Sequence, residues 1–442
     1  MTSRVFAARL SGTARLGPGE ALVGLALAVV AAAAAVMAGP IAVAIPVAVV
    51  AVAFLLREPL ALLALYLAIG LFKGEAVVKS LPVDATLALG LLLALVCGVR
   101  LVNGRVRPVP YVFALAIAVV ALSLAVSLTW TSAPAYGREK VTTFLTVTML
   151  AIGAPFFLFE RWEDLRRFFT WTIVVALPVA ILALTHPSRD TGRLAGDTTI
   201  GTSRLLCTGA LILLLGALGH SRWRLPAAAL AAGFVAIAAA VGSRGPIVSL
   251  ALALAVTLAA WLLRVPRKIA PVLAVAAVSV AVVPFVSLPA SSSERLSEAA
   301  RDPVATFRQN DRYVLAQQAF QLIDRDPIRG GGAGAFSTSN PSAKWPHNLF
   351  LELWAELGLA TILVVVAAVV AALAGLFRFA WRLPAQGSEQ ELVYILLAVF
   401  VFNLLAVQVS GNINDNRDFW GMLAIASLVV AGRIRAREPA ER

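Results

Sequence analysis

Charge is the first thing this sequence lacks. Only 14% of its 442 residues are Asp, Glu, Lys or Arg, whereas 60% are hydrophobic. A water-soluble domain carries about 25% charged residues, so a soluble globular protein of this length is excluded. Cysteine is nearly absent. Cys97 and Cys207 both sit in apolar runs, as small buried hydrophobes do, and they do not form a disulfide framework or a thiolate metal site. There are three histidines, no Walker-type phosphate loop and no repeat at a fixed period. Without that loop, nucleotide hydrolysis is not expected.

What is plentiful is apolar sequence, with a mean hydropathy of +0.87, arranged in blocks close to twenty residues long. About twenty helical residues cross the ~30 Å hydrocarbon core of a bilayer. Runs rich in Leu, Ala and Val, broken by Pro and Gly, make helices rather than the ten-residue alternation of a barrel. The blocks fall at 20–38, 40–56, 58–72, 83–102, 110–129, 141–159, 168–185, 203–219, 225–241, 246–263, 269–289, 348–376, 389–409 and 419–432. The third is short and the first two could form a re-entrant hairpin, so 12 to 14 spans are expected. The fold class is therefore an all-α, polytopic helical membrane protein. Its expected parts are a cytoplasmic tail 1–19, a bundle 20–289 with an outer loop 186–204, a large outer loop 290–347, C-terminal helices 348–432 and a cytoplasmic tail 433–442. Arg4, Arg9 and Arg15 before an apolar run imitate a signal peptide, but no small-residue cleavage site leads into a polar domain, and a retained first helix is expected.

The net charge of +13 is explained by topology. With the N-terminus cytoplasmic, the even-numbered connections and both tails hold more than half of the 37 Lys and Arg, including Arg57, Arg100, Arg105, Arg107, Arg161, Arg166, Arg167, Arg264, Arg267 and Lys268. The alternation never breaks, as the positive-inside rule requires. Nucleic acid is not implied as a partner. The expected location is a cell membrane, inner or plasma, with both termini cytoplasmic.

The outer side then holds the residues of interest. Its loop 290–346 exceeds the roughly 15 residues beyond which loops are usually functional or carry their own structure. Within it, 303–323 reads as an amphipathic helix with Tyr313, Ala316, Phe320 and Ile323 on one face, followed by Asp326-Pro327 and a turning segment with Gly330, Gly331, Gly332 and Gly334. Arg193, Arg244, Arg312 and His347 all fall on this side. Arg244 sits in a turn of almost no length, Gly242 to Pro246, so it meets the interface, where an arginine is costly unless it snorkels or meets an anion. Arg193 is flanked by Gly192 and Gly196, which let backbone approach a ligand. Pro346 suits the first helical position, which would put His347 and Asn348 in the first turn of the following helix. Free N–H groups and the dipole end there favour an anion and hold a histidine neutral, able to act as a base. Glu352 and Glu356 lie one turn apart further in, where carboxylates need a function or a buried basic partner; for Glu356 a supporting role towards a loop or neighbouring helix is expected. Asp415, Arg417 and Asp418 crowd the last outer loop and suffice to bridge one another. The first outer connection, around Gly39-Pro40, has no acidic pair to hold a divalent ion, so a diphosphate on this face would need arginines as countercharge.

Residues 326–358 resemble the C-terminal signature of the O-antigen ligase and polymerase superfamily. The matching residues are Asp326-Pro327 and the glycines up to Phe336, then His347-Asn348-Leu349 with Glu352, then Glu356-Leu357-Gly358. Ser243-Arg244-Gly245 is similar to its Ser-Arg-Gly turn, Arg193 to Gly196 to its Arg-x-x-Gly loop, and Arg312 to the arginine that opens its loop helix; the Pro-Asn that usually follows the second of these is replaced by Ile200-Gly201-Thr202-Ser203. The resemblance covers about 190–376 and implies a multi-span glycosyltransferase that takes a glycan from a polyprenyl diphosphate, in bacteria undecaprenyl diphosphate, without nucleotide sugar, metal or other cofactor. It implies that Arg193, Arg244 and Arg312 hold the diphosphate and that His347 is the general base, with Asn348 and Glu356 in support and inversion at the anomeric carbon. The acceptor would be a hydroxyl of lipid A–core or another surface glycan, as in a ligase of lipopolysaccharide assembly, or a growing lipid-linked glycan, as in a polymerase. A secondary transporter is the reading from another class. It would need ionisable residues near the midplane in two related halves, whereas here the charges collect at the outer rim.

Overall fold

The computed structural model describes residues 40–72, 83–185, 199–219, 224–241, 243–263, 311–339, 343–384 and 387–434. These residues are helical, with no strand among them. The expected segments 20–38 and 269–289 lie outside them; every other expected segment is helical, 348–376 in two pieces. Contacts divide the chain into two units, 1–62 and 63–442. In the first, α1 (Pro40–Arg57) stops at Glu58, whose N–H donates to the Phe54 carbonyl. Pro59 has no N–H to extend that ladder, and α2 (Pro59–Ala68) starts there and runs on into the second unit.

The second unit contains α3 (Ala85–Val102), α4 (Tyr111–Ser127), α5 (Pro134–Leu158), α6 (Trp162–Thr185), α7 (Thr199–Gly219), α8 (Arg224–Ala240) and α9 (Arg244–Leu262). After these come α10 (Asp311–Arg325), α11 (Phe336–Ser339), α12 (Leu349–Leu357), α13 (Leu359–Arg382), α14 (Ser388–Ala406) and α15 (Arg417–Val430). Seven helices among the described residues are long and apolar enough to cross a membrane, or eight if the bent pair Val49–Arg57 and Pro59–Phe72 is one span. The 12 to 14 spans expected also counted the shorter α4, α8 and α15 and the segments outside the described residues. The chain is a polytopic helical membrane protein.

Burial sorts these helices. α14 is buried on every side from Leu392 to Asn403, and α15 from Phe419 to Val429. A helix apolar all round belongs at the centre, and α14 packs against α7, α9, α13 and α15. α3, α4 and α13 instead expose Leu87, Leu91, Leu95, Leu122, Leu363 and Val370. Such outward apolar faces suit a hydrocarbon surround, in which backbone groups are satisfied within each helix.

Two departures from the sequence reading shape the functional region. The segment 348–376 is not one helix, because it breaks at Gly358, where φ is 81° and ψ 177°. That region of backbone space is essentially glycine's alone. A Cβ there would strike the Ile328 carbonyl, and the Leu359 N–H donates to Pro327 and Ile328 oxygens. The chain leaving α10 thus lies in the notch between α12 and α13. The second departure concerns α10 itself, whose described part begins at Asp311. Its buried stripe is Leu315, Ala319, Leu322 and Ile323, packed with Ala335, Phe336 and Ala355, while Phe320 is 48% exposed. The buried face is therefore turned from Tyr313, Ala316 and Phe320. Small Ala319 faces α12 and allows close approach, which Phe320 would prevent.

Gly358→Ala is expected to destabilise the protein by about 1–3 kcal/mol from backbone strain alone. The measurement is the thermal unfolding midpoint of the detergent-solubilised protein, which should fall by several degrees; an unchanged midpoint would mean that the notch does not need glycine.

Candidate functional site

The glycine segment after α10 is stitched down on two sides. Towards α12, the Gly331 N–H donates to the Ala355 carbonyl and the Gly332 N–H to the Glu356 carbonyl. Towards the α4–α5 connection, the Trp130 indole donates to the Gly330 carbonyl, the Thr131 hydroxyl to the Ala333 carbonyl, and the Ala333 N–H to the Ser127 hydroxyl. Gly334, with φ 79°, lies so close over Tyr136 that a Cβ would sit 2.9 Å from its ring. The turning segment foreseen from the glycines is thus a fitted strap.

A buried charge cluster fastens that strap. Lys140 of α5 is 3% exposed, and its ammonium pairs with both Glu352 and Glu356 of α12, each 1% exposed. Glu356 Oε2 also accepts the Gly334 N–H at 2.8 Å. Two carboxylates facing one ammonium leave an excess acid in the interior, where Glu352 Oε2 and Glu356 Oε1 have no hydrogen-bond partner. Buried ions of this kind stay only where pairing offsets desolvation. Lys140 was not among the sequence candidates, although two buried carboxylates at i and i+4 on an apolar helix already require a cation.

The other end of α12 carries the histidine. The helix begins at Leu349, and Asn348 caps it, its side-chain oxygen accepting the Leu351 N–H at 3.0 Å. The Leu349 N–H goes to the Val407 carbonyl and the Glu352 N–H to the Asn348 carbonyl. His347 therefore precedes the helix, not within its first turn, and three of the first four N–H groups are already used. The open anion site expected at that terminus is not formed. His347 sits at φ 54°, in the left-handed region that costs a side-chain-bearing residue about 1–2 kcal/mol. It is held from both sides: the Asn348 amide donates to the Gln408 backbone and side-chain oxygens, and the Trp345 indole N–H donates to His347 Nδ1 at 3.2 Å. Burial, and then the Arg312 charge, lower the His347 pKa from its ordinary value, so the ring is neutral near pH 7. The helix dipole was the cause expected; desolvation and a neighbouring guanidinium are the causes found.

The residues just beyond α14 join the site's pieces. Val407 and Gln408 hold α12, and Val409 packs on Gly245, where a Cβ would be 3.0 Å from its methyl and 3.9 Å from Arg312 Nη1. The Ser243-Arg244-Gly245 turn, with Ser243 buried at the start of α9, therefore meets Arg312 and the His347 corner. Arg193 lies outside the described residues, and for Arg244 only the backbone is placed. Glu356 stands at the far end of α12 in the strap cluster. Among the described residues no group of three or more His, Cys, Asp or Glu is placed to hold a metal ion.

A second polar cluster is separate. Arg204 of α7, 7% exposed, pairs with both Asp418 oxygens at 2.9 and 3.0 Å and donates to Asn416 at 2.7 Å. Asp418 thus bonds across to α7, and Arg417 lies over the Tyr66 ring. Beside this cluster is a cavity of about 130 Å³ lined by Leu67, Phe168, Phe169, Thr172, Thr208 and Asp418, among others.

A helical membrane bundle with arginine and a neutral histidine gathered at one end defines the class: a multi-pass membrane protein with a cationic site on polar connections. Residues 227–366 match the family model described as O-Antigen ligase, which supports the resemblance of this segment to the O-antigen ligase superfamily. Arg244, Arg312, His347, Asn348, Glu352 and Glu356 all fall within the matched segment. The domain supports a membrane glycosyltransferase of the O-antigen ligase and polymerase type. No curated protein matches the chain significantly.

Lys140→Met is expected to cost about 3–5 kcal/mol, because it strands two buried carboxylates. Glu352→Gln, which removes the excess acid, should change stability by no more than about 1 kcal/mol. Thermal unfolding in detergent measures both; a Lys140→Met midpoint no lower than that of Glu352→Gln would contradict the assignment.

Proposed function

We propose that the protein transfers a glycan from a polyprenyl diphosphate, undecaprenyl diphosphate in a bacterial membrane, to the hydroxyl of a surface acceptor, with lipid A–core the acceptor in lipopolysaccharide assembly. The observation that carries this reading is the convergence of Arg312, the Arg244 turn and His347 within the segment that matches the O-antigen ligase family. Guanidinium groups stay charged at every relevant pH and match diphosphate oxygens in pairs. Arg244 and Arg312, with Arg193 from the loop before α7, hold the diphosphate and stabilise the charge that builds on it as the glycosidic bond breaks. His347 faces the reacting centre, while Asn348 and Glu356 hold the two ends of α12 on which that position depends.

The site lies on the face opposite the basic connections. Its polar contacts support that sidedness: Arg100 and Arg107 pair with Glu160 among connections read as cytoplasmic, whereas Lys140 with Glu352 and Glu356, and Arg204 with Asp418, join connections read as outer. The transfer inverts the anomeric carbon and needs no metal. A polymerase would use the same chemistry with a lipid-linked glycan as acceptor, so the acceptor distinguishes the two.

Purified protein in vesicles, given a polyprenyl-diphosphate glycan, should transfer it to lipid A–core and keep doing so in EDTA. Arg312→Ala should lower transfer by about 10²-fold or more and His347→Ala should abolish it, both proteins remaining folded. Full activity in both variants, or loss in EDTA that magnesium restores, would refute the mechanism. Transfer only to lipid-linked glycan would make the protein a polymerase.

A further inference from the structure

The base role expected of His347 needs a ring nitrogen whose lone pair is free to meet a hydroxyl, and the surroundings of the ring decide which nitrogen that is. An indole N–H can only donate. Trp345 Nε1 lies 3.2 Å from His347 Nδ1, with the two rings edge to face at 5.7 Å. Nδ1 therefore presents its lone pair to Trp345. A neutral imidazole carries one proton, so that proton is on Nε2. The left-handed backbone at His347 and the Asn348–Gln408 bonds fix the ring's approach. Strain of this sort persists where the surroundings over-determine a geometry, commonly at functional sites.

We propose that Trp345 is a positioning residue that locks His347 in the Nε2–H tautomer, so that the imidazole meets the donor's diphosphate as a hydrogen-bond donor and does not take the acceptor's proton. The proposal rests on the glycosyl-transfer reading. An inverting displacement puts the attacking and leaving oxygens on opposite faces of the anomeric carbon. Arg312 Nη1 lies at the Gly245–Val409 contact, and Gln408, next to Val409, holds Asn348 beside His347, so the guanidinium and the imidazole share one corner. The imidazole thus shares the leaving-group side with the arginine. In the step, the acceptor oxygen bonds to the anomeric carbon while the bond from that carbon to the diphosphate oxygen breaks, its electron pair passing to the diphosphate. The hydroxyl proton is released to water, and the lipid diphosphate takes up an equivalent proton from water. No proton is stored on His347. Its Nε2–H and the Arg312 guanidinium bond to the oxygen on which charge develops.

Two measurements on the full-length protein test this. With ¹⁵N-labelled histidine there are only three ring systems to assign, and two-bond ¹⁵N–¹H correlations report the tautomer. His347 should show the Nε2–H pattern at pH 7.5, and Trp345→Phe should lose it. An Nδ1–H pattern in the wild type would overturn the proposal whatever the activity. In the transfer assay, Trp345→Phe should lower kcat about tenfold with little change in KM. A Gln amide reaches the place of Nε2 with an N–H but no basic nitrogen, whereas an Asn amide reaches only Nδ1. His347→Gln should therefore keep at least tenfold more activity than His347→Asn or His347→Ala. Gln as inactive as Ala would overturn the donor role. A wild type that transfers nothing would refute the glycosyl-transfer reading and the donor role with it, and the tautomer would still be decided by the spectrum.

Discussion

The strap end of α12 depends on one buried ammonium. Lys140, on α5, meets two carboxylates on α12, and one of these also accepts the Gly334 N–H from the strap that leaves α10. Two neighbouring stretches, the strap and α12, are thus tied to a helix some 200 residues earlier at a single buried point. Charge in such a place is tolerated only when paired, and removing one partner costs more than the pair contributes. The same fact makes the arrangement specific.

From this fastening the geometry runs along α12 to the histidine. The helix is nine residues long, fixed at its C-terminal end by Glu356 and the Gly358 break and at its N-terminal end by Asn348 and the turn after α14. A short helix pinned at both ends gives the residue before it little freedom, which is how His347 is kept at a positive φ beside Arg312. The Ser243–Gly245 turn arrives from the other side through the Gly245–Val409 contact. Reactive groups act well when held rigidly by a supporting shell, and here that shell is the end of α14 together with the strap.

Much of this was legible in the sequence. Apolar block length located the helices, because lipid permits few backbone solutions. The ion pairs of Lys140, Arg204 and Glu160 each join connections that charge alternation had placed together, which supports the proposed sidedness. The signature residues pointed to the His347 corner. What could not be read was pairing across the fold. Nothing local marks Lys140 as the partner of Glu352 and Glu356, or Arg204 as that of Asp418, since each pair is more than 200 residues apart. The Gly358 break was hidden because nothing in an apolar run announces a positive φ. The cap at Asn348, in place of Pro346 opening the helix, depended on Val407, Gln408 and their distant helix. The face of α10 was drawn by spacing through Tyr313, Ala316, Phe320 and Ile323, of which Ile323 is buried and Phe320 is not, because close packing favoured Ala319.

The central claim is that a donor's diphosphate sits between the arginines and the Nε2–H of His347. A cryo-EM map of the full-length protein in nanodiscs, bound to a non-hydrolysable polyprenyl phosphonate, tests it most directly. The account predicts density for the phosphorus groups within hydrogen-bond reach of Arg312 and His347 Nε2, with the strap unmoved. Phosphorus density instead in the cavity beside Arg204 and Asp418, or a histidine ring turned away from Trp345 towards the sugar, would contradict it.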